Sequence, residues 1–165
     1  MIALTNSAEP IAIVSPITLL LAGYAKHDKH MIAGGWQTAA GLAITGVVST
    51  GLKYAVNRQR PYKTDPNLQY YRAEQTASFP SGHTAFSFCT ATSLSICYPR
   101  WYIMAPAYLW AASVGYSRMY LGEHYSTDVL AGAVVGTGSA WLAYKGNQWL
   151  QKRRDAKAHL HDLPL

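Results

Sequence analysis

The sequence predicts an all-α protein: a bundle of five or six helices that crosses a membrane and carries its functional site at one end. Half of the 165 residues are hydrophobic and 13% are charged, whereas roughly a quarter of the residues in soluble domains are charged. The apolar runs are as long as helices and do not alternate with polar residues as strands do. The length favours a single domain that covers residues 1–165.

Five apolar runs form the predicted helices. Their bounds are residues 10–25, 31–52, 83–98, 101–116 and 128–144. The first run is short for a span of about 20 residues, and the second is long enough to cross a bilayer. Pro99 and Arg100 separate the third and fourth runs, which predicts a helical hairpin, and Pro106 is expected to kink the fourth.

Polar segments connect and follow these runs. Residues 1–9 lack the basic start of a signal peptide, and residues 26–30 form a charged turn. Residues 62–79 are the longest polar connection, which we expect to form a loop or short helices above the functional site. Residues 146–165 are a polar tail that we expect to fray.

The membrane assignment depends on side-chain composition. The apolar runs contain many Gly, Ala, Ser and Thr residues, so the mean hydropathy is close to neutral. Small residues let membrane helices pack closely, but they also suit a compact soluble bundle. Several aromatic residues lie near predicted helix ends, as in the aromatic belts of membrane proteins, although ordinary core packing would use them too. They are Trp36, Trp101, Tyr102, Trp141, Tyr144 and Trp149.

The stretch from Pro80 to His83 is the first candidate for chemistry. A proline and a glycine flank Ser81 where an apolar run begins, which predicts a turn that leads into a helix. The free N–H groups and the dipole at a helix N-terminus attract anions. Taken alone, such a stretch is usually a helix cap, but it would suit phosphate.

Two basic residues precede this turn in the chain. Lys53 stands seven residues before Arg60, a spacing that places both cations on one face if they share a helix. Pro61 is expected to end that helix. Such a pair is most often a solvated helix end, so its functional interpretation depends on the other motifs.

A histidine and a carboxylate follow in the third stretch. His124 and Asp128 are four residues apart, the spacing at which a carboxylate can hold an imidazole on one helical face. Arg118 adds a cation six residues before the histidine. Alone, the histidine and the aspartate would more often be a surface pair.

Together the three stretches form an ordered set of motifs. They are Lys53-x6-Arg60-Pro61, Pro80-Ser81-Gly82-His83 and Ser117-Arg118-x5-His124-x3-Asp128. This order resembles the signature of the type 2 phosphatidic acid phosphatase superfamily, with no departure at any motif position. That superfamily includes integral-membrane lipid phosphatases, soluble bacterial acid phosphatases and vanadium haloperoxidases. Its membrane members usually have six helices, so the resemblance implies that a first helix or a signal segment is missing before Met1.

The residue types suit phosphoryl transfer. A phosphate ester needs cations for its charge, a nucleophile in line with the leaving oxygen and an acid for that oxygen. His124, held by Asp128, is suited to attack phosphorus and form a phosphohistidine that water hydrolyses, and His83 is left as the acid. The resemblance implies the same roles. The groups expected to bind phosphate are Lys53, Arg60, Arg118, the Ser81 hydroxyl and the Gly82 N–H.

No metal and no cofactor are expected, because the cations take the place of a metal. Beyond the motifs, no cluster of Asp, Glu or His in the sequence offers a ligand set. The main hypothesis is a metal-independent phosphatase for a lipid phosphate or diphosphate, with a phospholipid or polyprenyl compound as substrate. The alternative is a soluble periplasmic acid phosphatase for small phosphomonoesters. A vanadium haloperoxidase is a third reading, which the short chain disfavours.

The distribution of charge predicts the orientation in the membrane. The net charge is +6, but no nucleic acid is needed to explain it. By the positive-inside rule, a basic end of the bundle is cytoplasmic, which places the motifs on the periplasmic face of a bacterial-type inner membrane. Arg58, Lys63 and Arg72 lie on the motif side and weaken this bias without reversing it. The basic residues opposite the motifs are Lys26, Lys29, Arg100, Lys145, Lys152, Arg153, Arg154 and Lys157.

Overall fold

The computed structural model describes residues 1–65 and 67–161, and in these residues it contains helices but no strand. Five helices are long and one has four residues. The prediction of an all-α bundle is confirmed. The helices are α1 (Ile2–Ala25), α2 (Lys29–Val56), α3 (Pro61–Thr64), α4 (Gly82–Cys97), α5 (Trp101–Tyr120) and α6 (Ser126–His161).

The first helix is longer than the sequence predicted. α1 begins at Ile2, and its 24 residues suffice to span a bilayer. Thr5 and Ala8 are buried in the bundle, and these contacts continue the helix through Pro10, which removes only one backbone hydrogen bond. The prediction of a short first run was therefore wrong.

The last helix is also longer than predicted. α6 continues to His161 through the segment that we expected to fray. This segment is rich in Gln, Lys, Arg, Ala and Leu, all of which favour helix. The Arg153 guanidinium also lies 3.8 Å from the centre of the Trp149 ring, one turn earlier. Residues 162–165 of the predicted tail lie outside the described residues.

α4 is at the centre of the bundle, where it packs against α1, α2, α5 and α6. Its buried side chains are small, and glycines on α6 let the two backbones approach closely. A Cβ at Gly136 would collide with the carbonyl oxygen of Ala85, and a Cβ at Gly132 would lie 2.6 Å from that of Ser81. This packing holds the beginning of α4 against the beginning of α6.

Two segments are long and apolar enough to cross a membrane: α1 (Ile2–Ala25) and the segment Lys29–Thr64, which contains α2 and α3. In their 18-residue apolar stretches, only 28% and 17% of the residues are buried inside the protein, so most of these side chains face outward. α5 and α6 also expose large apolar side chains, for instance Leu109 at 70% and Val134 at 72%. An apolar surface of this extent suits lipid.

The motifs lie at one end of the bundle. Lys53 is in the last turn of α2, Arg118 is in the last turn of α5, and Asp128 is in the first turn of α6. The N-terminus of α4 and the loop before it fill the space among these helix ends. α2, α4, α5 and α6 therefore each contribute one end to the same site.

Candidate active site

His124 lies in the turn between α5 and α6 and not on a helix. Their spacing had predicted that His124 and Asp128 share a helical face. They do not, because α6 begins only at Ser126. The turn passes through Gly122, whose φ of +69° is a conformation that favours glycine. It still brings Nδ1 of His124 to 3.6 Å from Oδ2 of Asp128.

The Asp128 carboxylate is buried and has partners on both oxygens. Oδ2 accepts hydrogen bonds from the Ser78 hydroxyl at 2.5 Å and from the Tyr125 N–H at 3.0 Å. Oδ1 lies 2.9 Å from Nη1 of Arg58. These contacts fix the orientation of the carboxylate that faces His124.

Sequence reasoning assigned no role to Ser78 and counted Arg58 only as a charge on the motif side. Arg58 stands two positions before Arg60. The motif spacing fits Arg60, so the functional role was assigned to Arg60 and not to Arg58. No local signal marks Ser78, because serine is common in polar loops and its bond to Asp128 spans 50 residues.

Arg60 leaves the helix that carries Lys53. α2 ends before Asn57, which takes a left-handed φ of 46° as the C-cap. Arg60 directly precedes α3, and Pro61 is the first residue of α3, so Pro61 begins a helix and does not end one. The turn places the Arg60 guanidinium in the interior, with Nη1 3.4 Å from Nε2 of His124. The prediction of one shared helical face was wrong.

Two carboxylates that sequence reasoning missed pair with the buried arginines. The oxygens of Glu74 lie 2.5 Å from Nη2 of Arg60 and 2.7 Å from Nη2 of Arg118. Oε2 of Glu123 lies 3.3 Å from Arg60 and 3.6 Å from Arg118. Burial raises the pKa of Glu123. Burial acts in the same direction on Glu74, but the two guanidiniums outweigh it and lower its pKa.

Some donors of the basic residues remain available for a ligand. Nε of Arg118 is buried and has no hydrogen-bond partner among the described residues. Lys53 donates from Nζ to the carbonyl oxygen of Ala77 at 2.6 Å, and an ammonium group has further N–H donors. A buried donor without a partner costs free energy, so an oxyanion at this place would be stabilising.

Ser81 and Gly82 form the beginning of α4, close to the predicted helix start. The Ser81 side chain makes no cap bond and instead accepts a hydrogen bond from the Thr84 hydroxyl at 2.9 Å. The first N–H groups of α4 thus have no side-chain cap, as an anion site requires. The Ser81 N–H donates to the carbonyl oxygen of Asp128 at 3.0 Å, which joins this turn to α6.

A cavity of about 700 Å³ opens beside these groups. Its walls are the first half of α1, residues 71–76, and the side chains of His83 and Arg118. Nε2 of His83 lies 3.7 Å from Oε1 of Glu9, on α1. Part of the polar loop between α3 and α4 therefore forms a wall of this cavity.

The His124 ring is neutral at neutral pH. Burial lowers its pKa to about 4. The hydrogen bond to Asp128 raises this pKa, whereas nearby cations, Arg60 foremost, lower it further. A proton on Nδ1, which faces Asp128, leaves the lone pair on Nε2 beside the Arg60 guanidinium. This is the form in which the ring nitrogen can act as a nucleophile.

Among the side chains that the structure describes, no group of three or more His, Cys, Asp or Glu residues is placed to hold a metal ion. The structure brings the sequence-predicted site residues to the same end of the bundle. They are Lys53, Arg60, Ser81, Gly82, His83, Arg118, His124 and Asp128.

Known proteins resemble this chain in sequence and fold. It is 31% identical over 142 residues to the lipid A 1-phosphatase of Porphyromonas gingivalis, a match that covers 84% of this chain and 29% of that protein. It is 29% identical over 155 residues to the undecaprenyl-diphosphatase BcrC of Bacillus subtilis, covering 92% and 77% of the two chains. A solved transmembrane PAP2 type phosphatidylglycerolphosphate phosphatase from Bacillus subtilis has a TM-score of 0.66 and 25% identity, over 90% of this chain and 75% of that one.

The family comparison covers the part of the chain that contains the motifs. The sequence model described as PAP2 superfamily matches residues 34–152, a range that contains all three motifs and most of the chain. The membership that the order of the motifs predicted is thereby confirmed, and this chain belongs to the PAP2 superfamily.

Proposed function

We propose that this protein is a membrane-embedded phosphatase that hydrolyses a lipid phosphate or diphosphate through a phosphohistidine on His124, without a metal ion. The observation that carries the proposal is the position of Nε2 of His124, which lies 3.4 Å from a buried Arg60 guanidinium. The other ring nitrogen lies 3.6 Å from the Asp128 carboxylate. A neutral nucleophile thus stands beside a cation that can bind the phosphate under attack.

The first step forms a bond from Nε2 of His124 to phosphorus and breaks the bond from phosphorus to the leaving oxygen. The Asp128 carboxylate stabilises the positive charge on the ring, and His83 gives a proton to the leaving oxygen. In the second step, water attacks phosphorus, the P–N bond breaks, and neutral His83 takes the proton from water. The groups that hold the phosphate oxygens are Lys53, Arg60, Arg118, the Ser81 hydroxyl and the Gly82 N–H.

Two kinds of observation support a lipid substrate. The outer surfaces of several helices are apolar, so the site can meet a lipid that lies in the bilayer beside it. The names of the compared proteins refer to lipid A, undecaprenyl diphosphate and phosphatidylglycerolphosphate. These compounds share a phosphate group on a lipid, and we extend this class to the present chain.

We also propose that the site faces the periplasm. The end of the bundle opposite the motifs carries basic residues at helix termini, including Lys26, Lys29 and Arg100. Positive charge of this kind is retained on the cytoplasmic side. Cysteine labelling of the 71–76 loop and of the turn at residues 26–28 in intact cells, with an impermeant maleimide, tests this orientation, because only the loop should react.

The catalytic proposal is tested by replacing each histidine in the detergent-purified protein. We expect His124→Ala to be inactive on both a lipid phosphate and para-nitrophenyl phosphate. His83→Ala should lose roughly 10²–10⁴-fold on the lipid phosphate, the usual scale of general acid catalysis, and clearly less on the aryl ester, whose leaving group needs little protonation. His30→Ala, at the opposite end of the bundle, is the matched control and should stay active.

Rapid quench with a ³²P-labelled substrate identifies the nucleophile. Acid-labile label should be found on the peptide that contains His124, and it should accumulate when the second step is slowed. Label on His83, or equal losses of His83→Ala on the alkyl and aryl esters, would show that the two histidines have the opposite roles.

A further inference from the structure

Glu9 is the one acidic residue in α1. Most of the helix around it is apolar, and α1 is one of the two segments that are long and apolar enough to cross a membrane. A carboxylate in such a helix is costly, and ionisable residues within membrane helices usually pair with another group in a functional site. The position of Glu9 therefore needs an explanation.

The first half of α1 is held against the active-site end of the bundle. The hydroxyls of Thr5 and Ser117 lie 2.8 Å apart, and Ser117 directly precedes Arg118 in α5. Two positions along α1 from Thr5, the Ser7 hydroxyl accepts a hydrogen bond from the Trp110 indole at 3.0 Å. These contacts fix the helical turn that presents Glu9.

The partner of Glu9 is His83. Oε1 of Glu9 lies 3.7 Å from Nε2 of His83, and both residues line the cavity beside the site. Glu9 forms no other ion pair among the described residues. The His83 side chain is 21% exposed and that of Glu9 is 71% exposed, so both can exchange protons with the cavity.

Three other charged groups act on the His83 ring. Arg118 from α5 opposes protonation of the ring, Glu74 from the loop favours it, and Arg60 from the segment before α3 opposes it. Glu74 is engaged by both arginines, so its charge is largely compensated. Glu9 is therefore the carboxylate that is available to stabilise a protonated His83.

We propose that Glu9 is a positioning residue for the leaving-group acid: its carboxylate favours the protonated form of His83 against the nearby arginines and orients the ring toward the cavity. The carboxylate favours the imidazolium because opposite charges attract at this separation. When the second step has returned a proton to His83, the Glu9 carboxylate again stabilises the protonated ring. This inference rests on the proposed function of His83, and it adds a second residue through which that function operates.

The test is Glu9→Gln in the purified full-length protein, assayed on a lipid phosphate and on para-nitrophenyl phosphate. We expect kcat on the lipid phosphate to fall by about tenfold, the size of one pKa unit in the acid, with little change on the aryl ester. The alkaline limb of the kcat profile on the lipid phosphate should move to lower pH. Glu9→Asp, which keeps the charge, should recover part of the rate.

Asp65→Asn is the charge-matched control, because Asp65 is exposed in the same region and has no place in the cavity. It should leave both rates and the pH profile unchanged. Thermal unfolding in detergent checks that Glu9→Gln folds, and the isosteric amide makes folding the expected result.

The His83→Ala background separates this inference from the proposed function. In that background, Glu9→Gln should cause no further loss, because the group that Glu9 supports is absent. Equal losses on both esters, or additive losses in the double variant, would overturn the role of Glu9 while leaving that of His83 intact. If His83→Ala itself showed no preference between the esters, the proposed function would fail first.

Discussion

Nη1 of Arg58 lies 2.9 Å from Oδ1 of Asp128, on the side of the carboxylate that faces away from His124. Arg60 lies on the other side of the histidine, 3.4 Å from its Nε2. The left-handed turn at Asn57 makes this possible, because it releases the chain from α2 just before these arginines. One short segment thus supplies a cation to the carboxylate and a cation to His124, the proposed nucleophile.

We predict that Arg58→Gln lowers kcat by roughly 3- to 30-fold, the range expected when a hydrogen bond to a charged and partly exposed group is lost. Oδ2 of Asp128 would keep its hydrogen bonds from the Ser78 hydroxyl and the Tyr125 N–H. Oδ1 would lose the Arg58 guanidinium as its partner. Steady-state kinetics with para-nitrophenyl phosphate measures the loss. Lys63→Gln removes an exposed charge nearby and should have no effect; an equal loss in both variants would argue for a general charge effect.

Glu74 bonds both arginines that we propose as phosphate ligands. A carboxylate at this place competes with phosphate for the same N–H donors. We therefore predict that Glu74→Gln binds inorganic phosphate about three- to tenfold more tightly, because a negative charge next to the site has been removed. The inhibition constant of phosphate against para-nitrophenyl phosphate is the measurement. Weaker inhibition would mean that Glu74 mainly holds the arginines in place.

The sequence was sufficient to predict those site residues that can be recognised by their type and their order in the chain. His124, Asp128 and Arg118 could be singled out because, in order with the other two motifs, they match the signature of the superfamily. The helical class followed from the lengths of the apolar runs. Their close packing depends on the glycines and small residues that the composition displays.

The parts that could not be predicted depend on turns and on contacts between distant segments. The C-cap at Asn57 has no strong signal, so Arg60 was placed on α2. Glu74 and Glu123 are ordinary loop acids in the sequence, and only the fold places them against arginines. Glu9 was missed because Pro10 was taken as the beginning of the first helix.

The contact between α4 and α6 allows a matched pair of substitutions in one helix. At Gly136 a Cβ would collide with the Ala85 backbone, whereas at Gly138 no atom lies within 4 Å of the added carbon. Gly136→Ala should lower the free energy of unfolding by about 1–3 kcal/mol through overpacking. Gly138→Ala should be neutral or up to about 1 kcal/mol more stable, because alanine favours helix. Thermal unfolding in detergent distinguishes them, and equal destabilisation by both would contradict the close packing at Gly136.

The proposed catalysis without a metal gives a direct prediction. We expect the activity of the purified protein to be unchanged by EDTA and not to rise on addition of Mg²⁺, Mn²⁺ or Zn²⁺, because guanidinium and ammonium groups neutralise the phosphate. Activity that EDTA abolishes and a divalent ion restores would refute this. The assay uses para-nitrophenyl phosphate, which avoids effects of divalent ions on lipid micelles.

The last prediction concerns the titration of His124. Burial lowers its pKa from the ordinary value of 6.5 to about 4, so the folded protein keeps the ring neutral over a range in which the unfolded chain would protonate it. Its contribution to stability is therefore complete above about pH 6.5 and is lost as the pH falls from there toward 4. The proposed nucleophile is lost with the same titration, so kcat/KM, which reports groups of the free enzyme, should have an acid limb near pH 4. Histidine NMR titration provides the measurement independently of the substrate, with His124→Gln identifying the resonance. A titration near 6.5 would mean that the ring is solvated, and the buried pairing of His124 with Asp128 would then not describe the active protein.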